Sequence, residues 1–249
     1  MKRTGVFYFY QQANRLKDFP QALEGILDKE NIAYYDAVYD IRDGLYYLEP
    51  VQENLLLKAH SKDMVERVKR TDEYEGALYS VSGTVQACDK IFSGEIDNAF
   101  VFTGYGDHHA GRNFFGGGCY FNSAAIAIAN LRERGVKKFA IVDTDAHHGD
   151  GSWDLFEDDQ ETLYTCFCDG RYNSKNNNIN ITIPFRISDE EYLKKVEEEF
   201  VPKAIEHKPE LIFWNWGYDG TQGDYGSIGL SQDCHWKLAK LFKEIYLKK

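Results

Sequence analysis

Acidic, histidine and glycine residues are concentrated directly after one apolar run of the chain. The run Phe139-Ala140-Ile141-Val142 is followed by Asp143-Thr144-Asp145-Ala146-His147-His148-Gly149-Asp150-Gly151. Successive side chains of an extended backbone point to opposite sides, so Asp143, Asp145 and His147 can project to one side before the glycines turn the chain. Unpaired, these groups would be costly at a buried strand end, and a divalent cation is the natural compensation. A solvated turn with capping acids is the alternative interpretation, but so many donors in one run favour a metal site.

Two further apolar runs also lead into residues that can do chemistry. Asn98–Phe102 is followed by Thr103-Gly104-Tyr105-Gly106-Asp107-His108-His109-Ala110, and Leu211–Trp214 by Asn215-Trp216-Gly217-Tyr218-Asp219-Gly220. Taken alone, the histidine pair fits a surface or core position and Asp219 fits an ordinary turn. In α/β sheets, however, ligands bind at the carboxyl ends of the strands. We therefore expect the three segments to deliver their polar side chains to one edge of a sheet.

An Asp2His set made of Asp145, His147 and Asp219 would suit a catalytic zinc ion. Such sites typically have three protein ligands and an open position, where the metal lowers the pKa of a water to about 7. The set is richer in oxygen than a structural cysteine site, so Fe²⁺ or another divalent ion could replace zinc. His108 and His109 would then be free to act as general base and general acid.

Two carboxylates remain after these assignments, Asp143 and Asp150. Each could accept the far ring N–H of a histidine, which fixes the tautomer of the ring and raises its basicity. We therefore predict that both acids support catalysis together with the tandem histidines.

The hydrophobic pattern predicts the elements that must position these segments. Apolar runs rich in β-branched and aromatic residues alternate with helical periodicity, which indicates a mostly parallel sheet flanked by helices. The predicted strands are Thr4–Tyr10, Asn98–Phe102, Phe139–Asp143, Thr162–Phe167, Asn180–Ile183 and Leu211–Trp214. The predicted helices are Pro20–Lys29, Lys62–Arg70, Leu78–Phe92, Ser123–Arg134, Glu190–Glu199 and Cys234–Leu247. We expect a single-domain, three-layer α/β/α fold over residues 1–249.

Some helix ends can also be predicted from single residues. Gly135 suits the C-terminus of the helix before it. Ser188 is a candidate N-cap with Glu191 at the capping-box position, and Pro202 is expected to end that helix. The aromatic-rich connection over residues 32–60 has no assignment.

The composition narrows the class of protein. The chain has 249 residues, and 29 basic against 40 acidic residues give a net charge of −11, which disfavours direct binding of nucleic acid. No apolar run approaches the roughly 20 residues that span a bilayer, and the first residues lack the apolar stretch of a signal peptide. Five cysteines without a CxxC pair are typical of buried thiols in a reducing cytosol. We expect a cytoplasmic protein that binds neither nucleic acid nor a membrane.

Four motifs, in this order and spacing, resemble those of the zinc-dependent histone deacetylase family, which includes acetylpolyamine amidohydrolases and acetoin-utilisation proteins. They are Gly106-Asp107-His108-His109-Ala110, then Gly117-Gly118-Cys119-Tyr120-Phe121-Asn122, then Ile141-Val142-Asp143-Thr144-Asp145-Ala146-His147-His148-Gly149-Asp150-Gly151, then Gly217-Tyr218-Asp219. A weaker likeness, which includes Ala59-His60-Ser61-Lys62, extends the match over nearly the whole chain. The resemblance implies the arginase/deacetylase fold.

By this resemblance, Asp145, His147 and Asp219 hold zinc, and His108 and His109 are the tandem catalytic histidines. The same resemblance gives supporting roles to the two remaining acids, Asp143 and Asp150.

The resemblance also predicts where a substrate binds. Gly117 would offer its backbone carbonyl to the substrate amide, and Gly118 and Tyr218 are the other predicted substrate contacts.

The reaction implied by the resemblance is hydrolysis of the amide of N-acetyl-lysine, or of a related acylated amine, by metal-activated water. The expected substrate partners are an acetyl-lysine peptide or protein or an acylated polyamine, and assembly into a homo-oligomer is also compatible with the resemblance.

Two other classes of function also stay open. One is a catalytically weak or inactive metal-binding homologue that binds acylated ligands or needs a partner. The other is an arginase-like dinuclear hydrolase, which the adjacent His108-His109 pair disfavours because it suits acid/base work better than a second metal.

The chain departs from the family pattern around the expected acyl channel. The family usually has an aromatic residue where this chain has Gly118, so we expect a wider channel. In the segment Asp169-Gly170-Arg171-Tyr172-Asn173-Ser174-Lys175, Tyr172 is the one aromatic left to line it. The serine that commonly helps a nearby monovalent-cation site is replaced around Phe167, so the resemblance does not carry that ion over to this chain.

The family also has a strand and a Gly-Gly-Tyr segment beyond the region of Asp219, and no match to that tyrosine precedes Lys249. Losing an oxyanion donor of this kind costs roughly 10²–10³ in rate. We therefore expect reduced activity unless another group replaces it. A truncated chain, a chain completed by a partner and a naturally minimal enzyme all fit this expectation.

Overall fold

The computed structural model describes residues 3–8, 32–36, 46–47, 49–168, 170 and 172–247. The chain divides into two compact units, Met1–Gly135 and Val136–Lys249. Each unit has a four-stranded sheet, and within both sheets the paired strands run parallel. The predicted α/β class with parallel pairing is thus confirmed, whereas the prediction of a single domain stays a prediction.

The first unit contains a sheet with the strand order β3-β2-β1-β4. Its strands are β1 (Thr4–Tyr8), β2 (Ile32–Asp36), β3 (Tyr46–Tyr47) and β4 (Asn98–Val101). Its described helices are α1 (Glu53–Ala59), α2 (Lys62–Val68), α3 (Tyr74–Phe92) and α4 (Ser123–Glu133). The helix predicted over Pro20–Lys29 and the end of the strand predicted to reach Tyr10 lie outside the described residues.

The second unit contains a sheet with the strand order β7-β6-β5-β8. Its strands are β5 (Phe139–Asp143), β6 (Thr162–Cys168), β7 (Asn178–Thr182) and β8 (Leu211–Asn215). Its helices are α5 (Asp150–Phe156), α6 (Asp189–Glu199), α7 (Val201–His207) and α8 (Gln232–Leu247), and a 3-10 turn spans Tyr218–Gly220.

Strand β5 lies at the centre of this sheet and is buried along its whole length. A strand covered on both faces is expected to be a continuous apolar run, as Phe139–Val142 is. In the parallel register Asp143 is opposite Cys166 of β6 and Asn215 of β8. The carboxyl ends of β5 and β8 therefore coincide, and the loops that follow these two strands start at the same level, whereas β6 continues to Cys168.

An apolar core fixes that sheet against its helices. Val142 and Phe167 from the strands pack with Tyr192 and Phe200 from the α6 region and with Leu238 of α8, and all five are fully buried. Burying one large apolar side chain contributes about 1.5–3 kcal/mol. The strand ends that carry polar groups are thus held by a rigid apolar base.

Two predicted helix ends are present as expected. The Ser188 side chain accepts the Glu191 N–H, and the Glu191 carboxylate accepts the Ser188 N–H, which is the predicted capping box. Gly135 follows α4 with φ of +89°, a conformation in which an L side chain would be strained.

Other boundaries differ from the prediction. Helix α3 begins at Tyr74, four residues before the predicted Leu78. Pro202 does not end a helix, because α6 stops at Glu199 and Pro202 stands in the first turn of α7, where its missing N–H costs nothing. Helices α1, α5 and α7 were not predicted. None of the helices in the described ranges is long and apolar enough to cross a bilayer.

Candidate active site

Three side chains from the ends of β5 and β8 meet in the second unit. Asp145 and His147 lie in the loop after β5, and Asp219 lies in the 3-10 turn after β8. Their ligand atoms lie within 4.8 Å of one another. All three side chains are partly exposed, so solvent can reach the cluster. The pairing of β5 with β8 is what brings the two loops together.

The spacing of these donor atoms fits a metal ion. His147 Nδ1 lies 2.8 Å from Asp219 Oδ2 and 3.1 Å from Asp145 Oδ1. Two ligand atoms of a tetrahedral zinc ion with bonds of about 2.0 Å lie roughly 3.3 Å apart. The two separations from His147 Nδ1 are therefore a few tenths of an ångström shorter than this spacing, and a small shift of each carboxylate would accommodate an ion. Two carboxylates and an imidazole also suit Fe²⁺ and other divalent ions.

Backbone N–H groups fix the orientation of both carboxylates. Asp145 Oδ1 accepts the His147 N–H at 2.9 Å, and Asp219 Oδ1 accepts the Ala146 N–H at 3.2 Å. A ligand held by such a bond keeps its geometry without an ion. The loop after β5 therefore orients an acid from its own chain segment and one from the turn after β8.

Two glycines let the backbone approach the acidic ligands closely. A Cβ on Gly217 would lie 2.2 Å from Asp145 Oδ2, and a Cβ on Gly226 would lie 2.5 Å from Asp219 Oδ2. Neither glycine has a positive φ, so space rather than backbone conformation requires the missing side chain. Gly217 belongs to a predicted motif, whereas Gly226 had no signal in the sequence.

Asp143 lies beneath the cluster and is fully buried. Its carboxylate accepts the Tyr164 hydroxyl at 2.8 Å and the Asp145 N–H at 3.2 Å. Burial, reinforced by the nearby Asp143 charge, raises the pKa of Tyr164, which keeps the phenol protonated as a donor. Asp150 is exposed at the start of α5 and accepts the Gly151 N–H. The predicted roles of both acids toward the tandem histidines stay predictions.

An aromatic side chain that the sequence did not single out lies beside the cluster. Tyr225 is 86% exposed, and its ring stacks on that of His147 with centroids 5.1 Å apart. It comes from the loop between the 3-10 turn and α8. Tyr218, the predicted substrate contact, is 60% exposed, and its ring lies 6.3 Å from that of Trp216. Both tyrosines present accessible apolar surface in the second unit.

The tandem histidines lie in the loop after β4 of the first unit. The ring centroids of His108 and His109 are 4.1 Å apart, and His108 is the more deeply buried of the two. The loop is held by Asp107, whose carboxylate accepts the Ser123 N–H at 2.9 Å. The two imidazoles are therefore close enough to share one reaction site.

A tight turn lies against His109. Gly116 and Cys119 exchange both backbone hydrogen bonds, and Gly117 and Gly118 between them have φ of +57° and +79°. Two successive positive φ values define a type I′ turn, for which glycine is preferred. A Cβ on Gly117 would lie 2.5 Å from the His109 ring, whereas one on Gly118 would meet nothing within 4 Å.

His60 holds the chain that follows the tandem histidines. Its Nδ1 lies 2.8 Å from the Gly111 carbonyl, and its Nε2 accepts the Asn122 N–H at 3.0 Å. Because one ring nitrogen donates and the other accepts, this buried imidazole is neutral. Asn122 in turn caps α4 by accepting the Ala125 N–H. The likeness around His60 thus corresponds to a structural contact.

The structure also locates the residues at which the chain departs from the family pattern. Tyr172 is half-exposed, and its ring stacks on that of His148 with centroids 3.6 Å apart. Phe167 is fully buried in the apolar core of the second unit.

A solved structure matches this architecture. The fold is similar to that of the crystal structure of the HDA15 HD domain, with a TM-score of 0.80, 19% sequence identity and coverage of 98% of this chain and 80% of that one. At this identity the likeness shows the α/β fold alone.

Sequence comparison identifies the family. Residues 70–249 match the family model described as the histone deacetylase domain. The chain therefore belongs to the histone deacetylase family. It is 27% identical over 217 residues to histone deacetylase HDA1 of Saccharomyces cerevisiae, covering 78% of this chain and 30% of that protein.

Two further proteins are similar to this chain in sequence. A probable deacetylase of Archaeoglobus fulgidus is 30% identical over 160 residues, covering 59% of this chain and 44% of the relative. Polyamine deacetylase HDAC10 of Danio rerio is 27% identical over 214 residues, covering 69% of this chain and 32% of the relative. The chain thus spans less than half the length of these curated relatives.

Proposed function

We propose that this protein is a metal-dependent deacetylase or deacylase that hydrolyses the amide of N-acetyl-lysine or of a related acylated amine. The observation that carries the proposal is the convergence of Asp145, His147 and Asp219 at distances that fit one ion. Family membership supports the reaction class, since the relatives include proteins named histone deacetylase and polyamine deacetylase.

The three side chains would hold zinc, with Fe²⁺ or another divalent ion as a substitute. When bound, the ion would polarise the acyl carbonyl and make a water acidic near neutral pH. Asp145 and Asp219 supply negative charge to the ion, and the backbone N–H groups that they accept keep them in position. Tyr225 covers one face of His147 and would border the bound acyl group.

The tandem histidines would move the protons. One imidazole of the His108-His109 pair takes a proton from the attacking water, and the other gives a proton to the amine nitrogen as the carbon–nitrogen bond breaks. The products are a carboxylate and the protonated amine. Asp143 and Asp150 are proposed to favour the charged form of the histidines. The Gly117 carbonyl is proposed to accept the substrate amide N–H.

Open space around Gly118 supports a channel that takes acyl groups larger than acetyl, because an added Cβ there would meet nothing within 4 Å. We propose a cytoplasmic location, supported by five cysteines that are all buried thiols. The substrate is proposed to be an acylated protein, peptide or polyamine, with neither nucleic acid nor membrane as a partner, and a homo-oligomer is compatible with this function.

The test is an acyl-substrate panel, from acetyl to longer chains and from lysine peptides to polyamines, assayed with the metal-free, zinc-loaded and Fe²⁺-loaded protein. We expect metal-dependent release of amine and its loss in Asp145→Ala. Asp158→Ala is the matched control, because Asp158 is an exposed acid of the same unit outside the cluster. Equal turnover by the metal-free protein would refute the metal-dependent mechanism. Binding of a hydroxamate without turnover of any substrate would instead identify a non-catalytic homologue.

A further inference from the structure

A second group of metal-binding side chains lies in the same unit, apart from the proposed active-site ligands. His148, Cys166 and Cys168 place their ligand atoms within 4.8 Å of one another. Both cysteines are completely buried, and His148 is 8% exposed. The Cys168 Sγ lies 3.5 Å from the His148 Nδ1. Two thiols and one imidazole therefore converge in the interior.

The sheet explains why these three side chains meet. Cys166 and Cys168 are two residues apart on β6, and residues with this spacing point to the same face of a strand. Strand β5 pairs with β6, and His148 lies in the loop that leaves β5. The imidazole is thus delivered to the face on which both thiols lie.

The surroundings hold the imidazole in one orientation. Its ring is stacked on Tyr172, with centroids 3.6 Å apart, and lies 5.1 Å from the ring of Trp153. The Asn180 Oδ1 lies 3.2 Å from both the His148 Nδ1 and the Cys168 Sγ. Asn180 therefore offers an oxygen beside the three donors, either as a fourth ligand or as a group that orients the ring.

The distances suit a soft ion better than a disulfide. A sulfur and a nitrogen bound to one tetrahedral zinc ion, at about 2.3 and 2.0 Å, lie roughly 3.5 Å apart. The separation of Cys168 Sγ and His148 Nδ1 is 3.5 Å. By contrast, Cα atoms two residues apart on an extended strand lie roughly 6.6 Å apart, at the upper end of the range for disulfides. A shared ion between the two sulfur atoms allows the two backbones to lie further apart than a disulfide does.

We infer that His148, Cys166 and Cys168 form a second metal site, selective for zinc and other thiophilic ions. Thiolates are soft ligands, which separates this site from the oxygen-rich Asp145, His147 and Asp219 set. A bound ion would stabilise both thiols as thiolates, because metal ligands must be deprotonated.

The role of this site is structural. His148 directly follows His147, so an ion shared with β6 would fix the loop that carries a proposed active-site ligand. The inference does not depend on the proposed function, because the thiolate site can hold an ion whether or not the protein hydrolyses amides. Together with the proposed active-site ion, this site would give two metal ions per chain without a dinuclear, arginase-like centre.

The test uses Co²⁺ in place of zinc, because thiolate ligands to Co²⁺ give a near-ultraviolet charge-transfer band that carboxylate and imidazole ligands do not give. We expect the band in the wild-type protein and in Asp145→Ala. We expect its loss in Cys166→Ser and Cys168→Ser, with bound metal falling by one ion per chain. Cys234→Ser is the matched control, since Cys234 is a fully buried thiol of the same unit outside the cluster.

X-ray absorption of the zinc-loaded wild-type protein makes the test independent of whether the variants fold. Two sites should give an average zinc environment that contains a sulfur shell at about 2.3 Å. A spectrum with only oxygen and nitrogen neighbours at full loading would overturn the inference. So would a charge-transfer band that persists in the folded Cys166→Ser and Cys168→Ser variants.

Discussion

Gly217→Ala is expected to disrupt the proposed active-site metal centre by steric contact alone. The residue has φ of −84° and ψ of 118°, which alanine adopts without strain. The added Cβ would lie 2.2 Å from Asp145 Oδ2, which is about 1.3 Å short of the roughly 3.5 Å that unbonded atoms prefer. The Asp145 Cα would be 2.6 Å away, so a rotation of the side chain cannot relieve the overlap.

The movement of Asp145 needed to relieve this overlap is large compared with the tolerance of a metal site. Ligand distances must lie within roughly 0.2 Å of their ideal values, and disturbing even the groups that support a ligand costs about 10–100-fold in affinity. We therefore expect the Kd for an ion at Asp145, His147 and Asp219 to rise by at least about 100-fold. Overpacking generally costs about 1–3 kcal/mol of stability, and we expect most molecules of the variant to stay folded at this cost.

The assay is a Mn²⁺ titration in which the electron paramagnetic resonance signal of the free ion is measured. Mn²⁺ is used because it prefers carboxylates to thiolates and therefore reports this centre alone. Gly116→Ala is the control, since Gly116 has ordinary φ and an added Cβ would meet nothing within 4 Å. The variants are compared after circular dichroism shows that both are folded. A folded Gly217→Ala protein that binds Mn²⁺ within threefold of the wild-type Kd would refute the reasoning.

Three further predictions concern stability. Tyr164→Phe removes a donor from the buried Asp143 carboxylate, and we expect a loss of about 1–3 kcal/mol in the free energy of unfolding by urea. Ser188→Ala removes the capping box of α6 and should cost about 0.5–2 kcal/mol in the same measurement. Burial lowers the pKa of His235, whose neutral ring accepts the Trp216 indole N–H. Its stabilisation is full above the ordinary value of 6.5 and is lost as the pH falls through the lowered pKa, so the thermal midpoint should fall less steeply with acid in His235→Gln.

Matched variants separate these effects from general damage. Ser93→Ala, at the exposed C-terminal end of α3, should change stability much less than Ser188→Ala. A Tyr164→Phe protein as stable as the wild type would show that Asp143 does not need this donor. An unchanged acid dependence in His235→Gln would assign that dependence to other groups.

Much of the second unit could be predicted from local sequence. The run Phe139–Val142 is apolar throughout because β5 is covered on both faces, and the polar residues begin where the strand ends. Spacing and strand ends also pointed to Asp145, His147 and Asp219, which the structure brings within one cluster. Helix α7 was missed because Pro202 stops a helix when it is interior and starts one when it stands in the first turn.

The sequence by itself determined the α/β class, the family and which side chains can bind a metal, because alternation, periodicity and short motifs are properties of neighbouring residues. Only the tertiary structure decided which distant residues touch these groups. Tyr225 stacks on His147 through a loop that returns to the strand ends, and His148 meets Cys168 across the β5–β6 pair. Both contacts depend on the order and register of parallel strands, which buried backbone hydrogen bonds set between segments that are far apart in the chain.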